Sequence, residues 1–98
     1  MIANFEGYWS LKTISPLGND YYTLFISNSI QSYIAESRGK VNFQSMFVEE
    51  NSIKLIGQTD IPINANIILN GKILNKKING NIKIDEYCNI YFSGIKNE

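Results

Sequence analysis

Ile63-Asn64-Ala65-Asn66-Ile67-Ile68-Leu69-Asn70-Gly71-Lys72-Ile73-Leu74-Asn75-Lys76-Lys77-Ile78-Asn79-Gly80-Asn81-Ile82-Lys83-Ile84 is the stretch that decides the fold. Ile63, Ala65, Ile67, Leu69, Gly71 and Ile73 share one phase of a period of two, and mostly polar residues take the other. After Asn75-Lys76-Lys77 the alternation resumes on Ile78, Gly80, Ile82 and Ile84. Successive side chains of a strand point to opposite faces, so this pattern describes two strands, each with one buried face. They form a long hairpin with Gly71 and Gly80 facing each other or nearby. Asn70-Gly71 could make the tight turn instead. The later turn is preferred because it keeps both strands in one register, and a one-residue slip would expose the whole apolar set. A glycine inside a strand marks a bend or a close backbone approach.

Working outward, Asp85-Glu86 closes the hairpin into a final strand, with Cys88, Ile90 and Phe92 on one face and Asn89, Tyr91 and Ser93 on the other. Upstream, Ile53 to Gly57 is a strand with Ile53 and Leu55 inward, Glu49-Glu50-Asn51 is a polar turn, and Val41 to Val48 places Val41, Phe43 and Phe47 on one face. The first strand, Phe5 to Ile14, has Phe5, Gly7, Trp9 and Leu11 on one face and Glu6, Tyr8, Ser10 and Lys12 on the other. Pro16 to Asp20 is a turn. Tyr21 to Ile26 is apolar on both faces, so it is either central or exposes a sticky surface. Residues 27–39 fit two readings. Ile30, Tyr33, Ile34 and Ser37 have helical spacing, with Ser27 or Ser29 as N-cap and Gly39 as a stop. The same residues read as a strand turning at 37–39, and their strand neighbours favour that reading. The expectation is a single all-β domain over residues 1–98, an antiparallel meander barrel or sandwich of seven to eight strands, with at most one short helix at 29–38.

The 98 residues are 44% apolar and 18% charged, a globular composition rather than a disordered one. Nine basic and nine acidic residues sum to zero, without the basic excess that usually accompanies phosphate binding, so no nucleic acid is expected. The single cysteine, Cys88, cannot form an internal disulfide and is read as a small core residue. No signal-peptide pattern or long apolar run occurs, so the expectation is a cytoplasmic protein away from membranes.

Histidine is missing altogether, which removes the commonest general base and metal ligand and the usual partner of a Ser or Cys nucleophile. No Gly-rich phosphate loop is present. No catalytic residue, metal or cofactor is therefore expected. Glu49-Glu50 and Asp85-Glu86 are adjacent pairs, which a strand would send to opposite faces. They read as turn-solvating acids, or as a surface for a basic partner. Among six tyrosines, Tyr8 and Tyr91 lie on the faces opposite Trp9 and Phe92 and should point outward. Tyr, Trp and Arg dominate interface hot spots, so these two are the leading contact residues.

Phe5-Glu6-Gly7-Tyr8-Trp9 resembles the Gly-x-Trp entry strand of lipocalin-like barrels. That resemblance implies an up-and-down barrel closed at one end by Trp9 and holding a small apolar ligand. The final strand, read over 88–93, offers no basic residue to pack on Trp9. In character, a short, His-free, Asn- and Ile-rich β chain without a signal peptide resembles the cytosolic immunity proteins of bacterial toxin–immunity pairs, including contact-dependent growth-inhibition systems. That resemblance implies a non-enzymatic inhibitor binding one cognate toxin domain, a nuclease among the candidates, by blocking its active site or substrate surface. The partner-binding residues expected are Tyr8, Tyr91, Glu49, Glu50, Asp85 and Glu86. A lipocalin-like carrier of a small apolar ligand is the alternative.

Overall fold

The alternation over 65–84 becomes a hairpin with Gly71 directly opposite Gly80 and Ile73 opposite Ile78, turning at Asn75-Lys76. Asn75 takes a φ of 59°, the left-handed conformation that Asn tolerates better than most residues. The computed structural model describes residues 5–15, 18–28, 30–36, 39–59, 65–85 and 88–97. They contain eight strands: β1 (Gly7–Ser15), β2 (Gly18–Ile26), β3 (Tyr33–Glu36), β4 (Gly39–Glu49), β5 (Ser52–Thr59), β6 (Ala65–Leu74), β7 (Lys77–Ile84) and β8 (Cys88–Lys96). Each strand pairs antiparallel with the next, and β8 returns to β1, with Trp9 opposite Lys96 and Thr13 opposite Phe92. The chain is a closed meander barrel rather than a sandwich. The ambiguous stretch resolves as the short strand β3, with no helix among the described residues.

Inward positions follow the period of two. Trp9 and Leu11 of β1, Leu24 and Ile26 of β2, Leu55 of β5, Leu69 of β6 and Ile78 of β7 are fully buried or nearly so, and Phe43, Ile82 and Phe92 join the same cluster. An eight-stranded barrel has an interior just wide enough for side chains to fill or to hold one small ligand; here large side chains from all eight strands occupy it, Ile34 from β3 among them. Trp9 sits at the end reached by the N-terminal segment. Buried Phe5 packs there, and the Trp9 indole Nε1–H donates to Phe5 O at 2.8 Å, which satisfies the one polar atom of a buried ring.

Two expectations about packing change. Phe47 is not in phase with Phe43. A β-bulge in β4 pairs Phe43 with Gly57 but Ser45 with Ile56, leaving Gln44 extra. One added residue reverses the phase of everything after it. Met46 and Val48 therefore pack on the core and Phe47 is exposed. Cys88 is in phase with Phe92 as expected, but it opens β8 at the rim and is exposed rather than in the core.

Gly71 and Gly80 both lie on the inward phase. A Cβ on Gly71 would sit 3.0 Å from Ile78 Cδ1, and one on Gly80 would run into the backbone of Asn70 and lie 2.8 Å from Gly71 Cα. The missing side chains let β6 and β7 fold sharply against each other. On the outside, the sunken wall leaves a groove of about 740 Å³ above the glycine pair.

Candidate functional site

Among the described residues large apolar side chains take the inward positions, and the polar and aromatic side chains on the outer wall meet as the strand register dictates. Two walls stand out. β2 and β6 are four strands apart in an eight-stranded ring, so the surfaces centred on them face opposite directions.

The first wall is aromatic. Tyr8 of β1 pairs with Phe25 of β2, and Phe25 with Tyr33 of β3. Their ring centroids are 4.7 Å and 5.3 Å apart with tilted planes, within the range where aromatic pairs attract. Lys40 Nζ stands 4.8 Å from the Tyr33 ring centroid, a cation–π contact. Tyr8 is 48% exposed. Exposed Ile95 lies opposite Ser10, one outward position from Tyr8, so the apolar surface continues past the three rings towards β8; exposed Ile30, in the β2–β3 connection, lines a cleft beside the β4 bulge. Buried Ser27 and Ser32 hold that connection: the Ser32 hydroxyl accepts from Ser27 N–H at 3.0 Å, and the Ser27 hydroxyl accepts from Ile30 N–H at 3.2 Å.

The second wall is polar and cationic. Phe47, Lys54, Asn70, Asn81 and Tyr91 form one cross-strand row from β4 to β8, about 19 Å long at the usual strand spacing. Lys72 and Asn79 lie on the next row, and Lys83 and Asn89 on the row before. Phe47 and Tyr91 stand at the two edges, 59% and 70% exposed. Asn81 Nδ2 donates to Asn89 Oδ1 at 2.7 Å, and Asn89 Nδ2 donates to the Tyr91 hydroxyl oxygen at 3.4 Å, so the Tyr91 O–H is left to donate outward. The groove above Gly71 and Gly80 runs through this wall, with Glu49 on its rim.

The structure separates the expected contact residues. Tyr8 and Tyr91 both point outward, but Asn97 N–H bonds to Tyr8 O, and Tyr91 is six residues back along β8, about 20 Å away. Glu49 and Glu50 sit at the β4–β5 connection, and Asp85 at the opposite end of the barrel, roughly 25 Å off. Asp85 is engaged: its Oδ1 accepts from Asn66 N–H at 2.8 Å, and its own N–H donates to Asn66 O at 2.9 Å, fastening the start of β6 to the end of β7. Glu86 lies outside the described residues. The described acids, Glu49, Glu50 and Asp85, therefore form no single surface with the tyrosines. The residues that sequence reasoning missed, Phe25, Tyr33 and Lys40 on one wall and Lys54, Asn70, Lys72, Asn81 and Lys83 on the other, join these surfaces only through the register.

Two further features bear on the carrier alternative. β8 continues to Lys96, and Lys96 Nζ lies 5.8 Å from the Trp9 ring centroid, so the final strand does supply a basic residue beside Trp9. A cleft of about 310 Å³ opens beside the bulge, between the β2–β3 connection and β4, and reaches the core at Phe43, Met46 and Leu55. Among the described residues no group of three or more His, Cys, Asp or Glu is placed to hold a metal, and no helix is long and apolar enough to cross a membrane. No family model matches the chain, and no curated protein or solved structure matches it.

Proposed function

We propose that this chain is a non-enzymatic protein-binding barrel, an immunity protein that neutralises a cognate bacterial toxin in the cytosol by covering its active site or substrate surface. The observation that carries this reading is the outward Tyr8–Phe25–Tyr33 ladder, continued by Ile95 on a closed barrel. Large rings held by hydrogen-bonded strands lose little freedom on binding, and Tyr and Phe supply much of the area at the centre of protein interfaces. A stable complex would bury about 800 Å² on each partner, more than the ladder alone presents, so the β2–β3 connection and the β8 edge around Ile95 would share the contact.

The test pairs the chain with the toxin domain encoded beside its own gene. Co-expression should rescue growth, and Phe25→Ser with Tyr33→Ser should abolish rescue while the barrel stays folded. A chain that neither rescues nor binds that domain in titration calorimetry ends the reading.

The lipocalin-like carrier remains the second reading, supported by the Trp9 end, where Phe5 packs and Lys96 lies alongside. Against it stand the large side chains that fill the inward positions. Saturable uptake of an apolar fluorophore that quenches Trp9 would favour it over the inhibitor.

A further inference from the structure

We propose that the outer wall of β5–β8 binds single-stranded nucleic acid. This goes beyond the inhibitor reading and concerns the opposite side of the barrel. The zero net charge is a sum over the chain, whereas a phosphate strand responds to the charges within about 10 Å of it. None of the strands β5, β6, β7 and β8 contains an Asp or a Glu, and their outward positions hold Lys54, Lys72, Lys77 and Lys83. The described carboxylates flanking this wall are Glu49 and Glu50 at the β4–β5 turn, with Glu49 at the groove's rim on the row of Ser52 and Lys72, and Asp85 at the far end, where its Oδ1 accepts from Asn66 N–H. A neutral chain thus carries one cationic face.

The placement of the aromatics selects the partner class. A protein interface concentrates apolar residues at its centre and keeps charge at its rim. This wall does the reverse. Lys54, Asn70 and Asn81 occupy the middle of the row, and the exposed rings of Phe47 and Tyr91 mark its two ends. Proteins that hold single strands use this combination, a cationic groove along the backbone with rings on which bases stack. The half-buried amides of Asn70 and Asn81 offer donors and acceptors to base edges, and Asn89 turns the Tyr91 hydroxyl into an outward donor for a phosphate oxygen. The sunken Gly71–Gly80 wall gives the strand a concave bed. Lys54, Lys72 and Lys83 flank that bed on three successive rows.

Fluorescence anisotropy of a labelled oligothymidylate over a salt series tests this on the intact chain. Three phosphate contacts on a single strand predict a log–log salt slope of about −2, with a dissociation constant on the order of micromolar or weaker. Lys72→Gln should reduce the slope by about 0.7. Tyr91→Ser should weaken binding by about fivefold to a hundredfold, and Tyr91→Phe should weaken it less, because it keeps the ring face that carries the stacking and loses only the hydroxyl donor. Both positions point outward, and unchanged thermal melts would show the variants folded; should Tyr91→Ser melt early, Lys54→Gln with Lys83→Gln replaces it and should flatten the slope to about −0.7. No anisotropy change at low salt overturns the proposal. So does binding that Tyr91→Ser leaves intact and polyglutamate displaces as readily as the oligonucleotide, which would make an acidic protein the occupant.

Discussion

The β1–β3 wall and the β5–β8 wall have inner surfaces of one kind and outer surfaces of two. Inside, Leu24 and Ile26 on one side and Leu69 and Ile78 on the other make the same apolar core. Outside, the first wall stacks Tyr8, Phe25 and Tyr33 and the second lines up lysines and amides between two separated rings. Burial constrains only every second residue of such a barrel. The other half of each strand is open to selection for contact, and in this chain the two halves of the circumference carry different chemistry.

The bluntest way to break the comparison is to remove what the walls share. Trp9→Ala deletes a fully buried indole and its bond to Phe5 O, and should cost about 3–5 kcal/mol, read from the urea midpoint, so both walls are lost together. Gly80→Ala acts on one side. Its methyl has no room against Asn70 and Gly71, so stability should fall by about 1–3 kcal/mol, and amide hydrogen exchange should quicken in β6 and β7 before β2. Next comes the ladder itself. A double-mutant cycle on Tyr8 and Phe25 should give a coupling of about 0.5–1.5 kcal/mol, whereas the same cycle on half-buried Asn81 and exposed Asn89 should give less than about 0.5 kcal/mol; equal couplings would erase the distinction between a packed wall and a solvated one. The smallest effect has the opposite sign. Glu50 holds a φ of 52°, where a Cβ is strained, so Glu50→Gly should stabilise the barrel by about 0.5–1 kcal/mol in a thermal melt, leaving both walls untouched.

The inner surface was legible in the sequence because one period governs it. Residues 65–84 specify their own faces, and Gly71 meets Gly80 because a single register satisfies both strands. Phe47 was not legible. Met46, Phe47 and Val48 are all apolar, so the local pattern fits either phase and nothing in it marks Gln44 as extra. Cys88 shows a different limit: alternation gives the direction of a side chain but not its depth along the barrel axis, and the first residue of β8 has little wall above it. Lys96 was missed because the last strand runs three residues past Ser93. Of the outer surface, the outward direction of Tyr8 and Tyr91 could be read from phase. Their neighbours could not, because Phe25 and Tyr33 reach Tyr8 only across strand pairings. One signal for the second wall was in plain view: residues 61–84 include Lys72, Lys76, Lys77 and Lys83 and no acid, a segregation that the summed charge of the chain conceals.

Ring closure bears on how such a molecule could diversify. Each strand is clamped by a hydrogen-bonded neighbour on both flanks, so the hoop takes its shape from peptide groups and inward side chains and leaves the outward ones free to be exchanged. A lineage could therefore trade one set of outward residues for another, one rung at a time, and acquire a new specificity without passing through an unfolded ancestor.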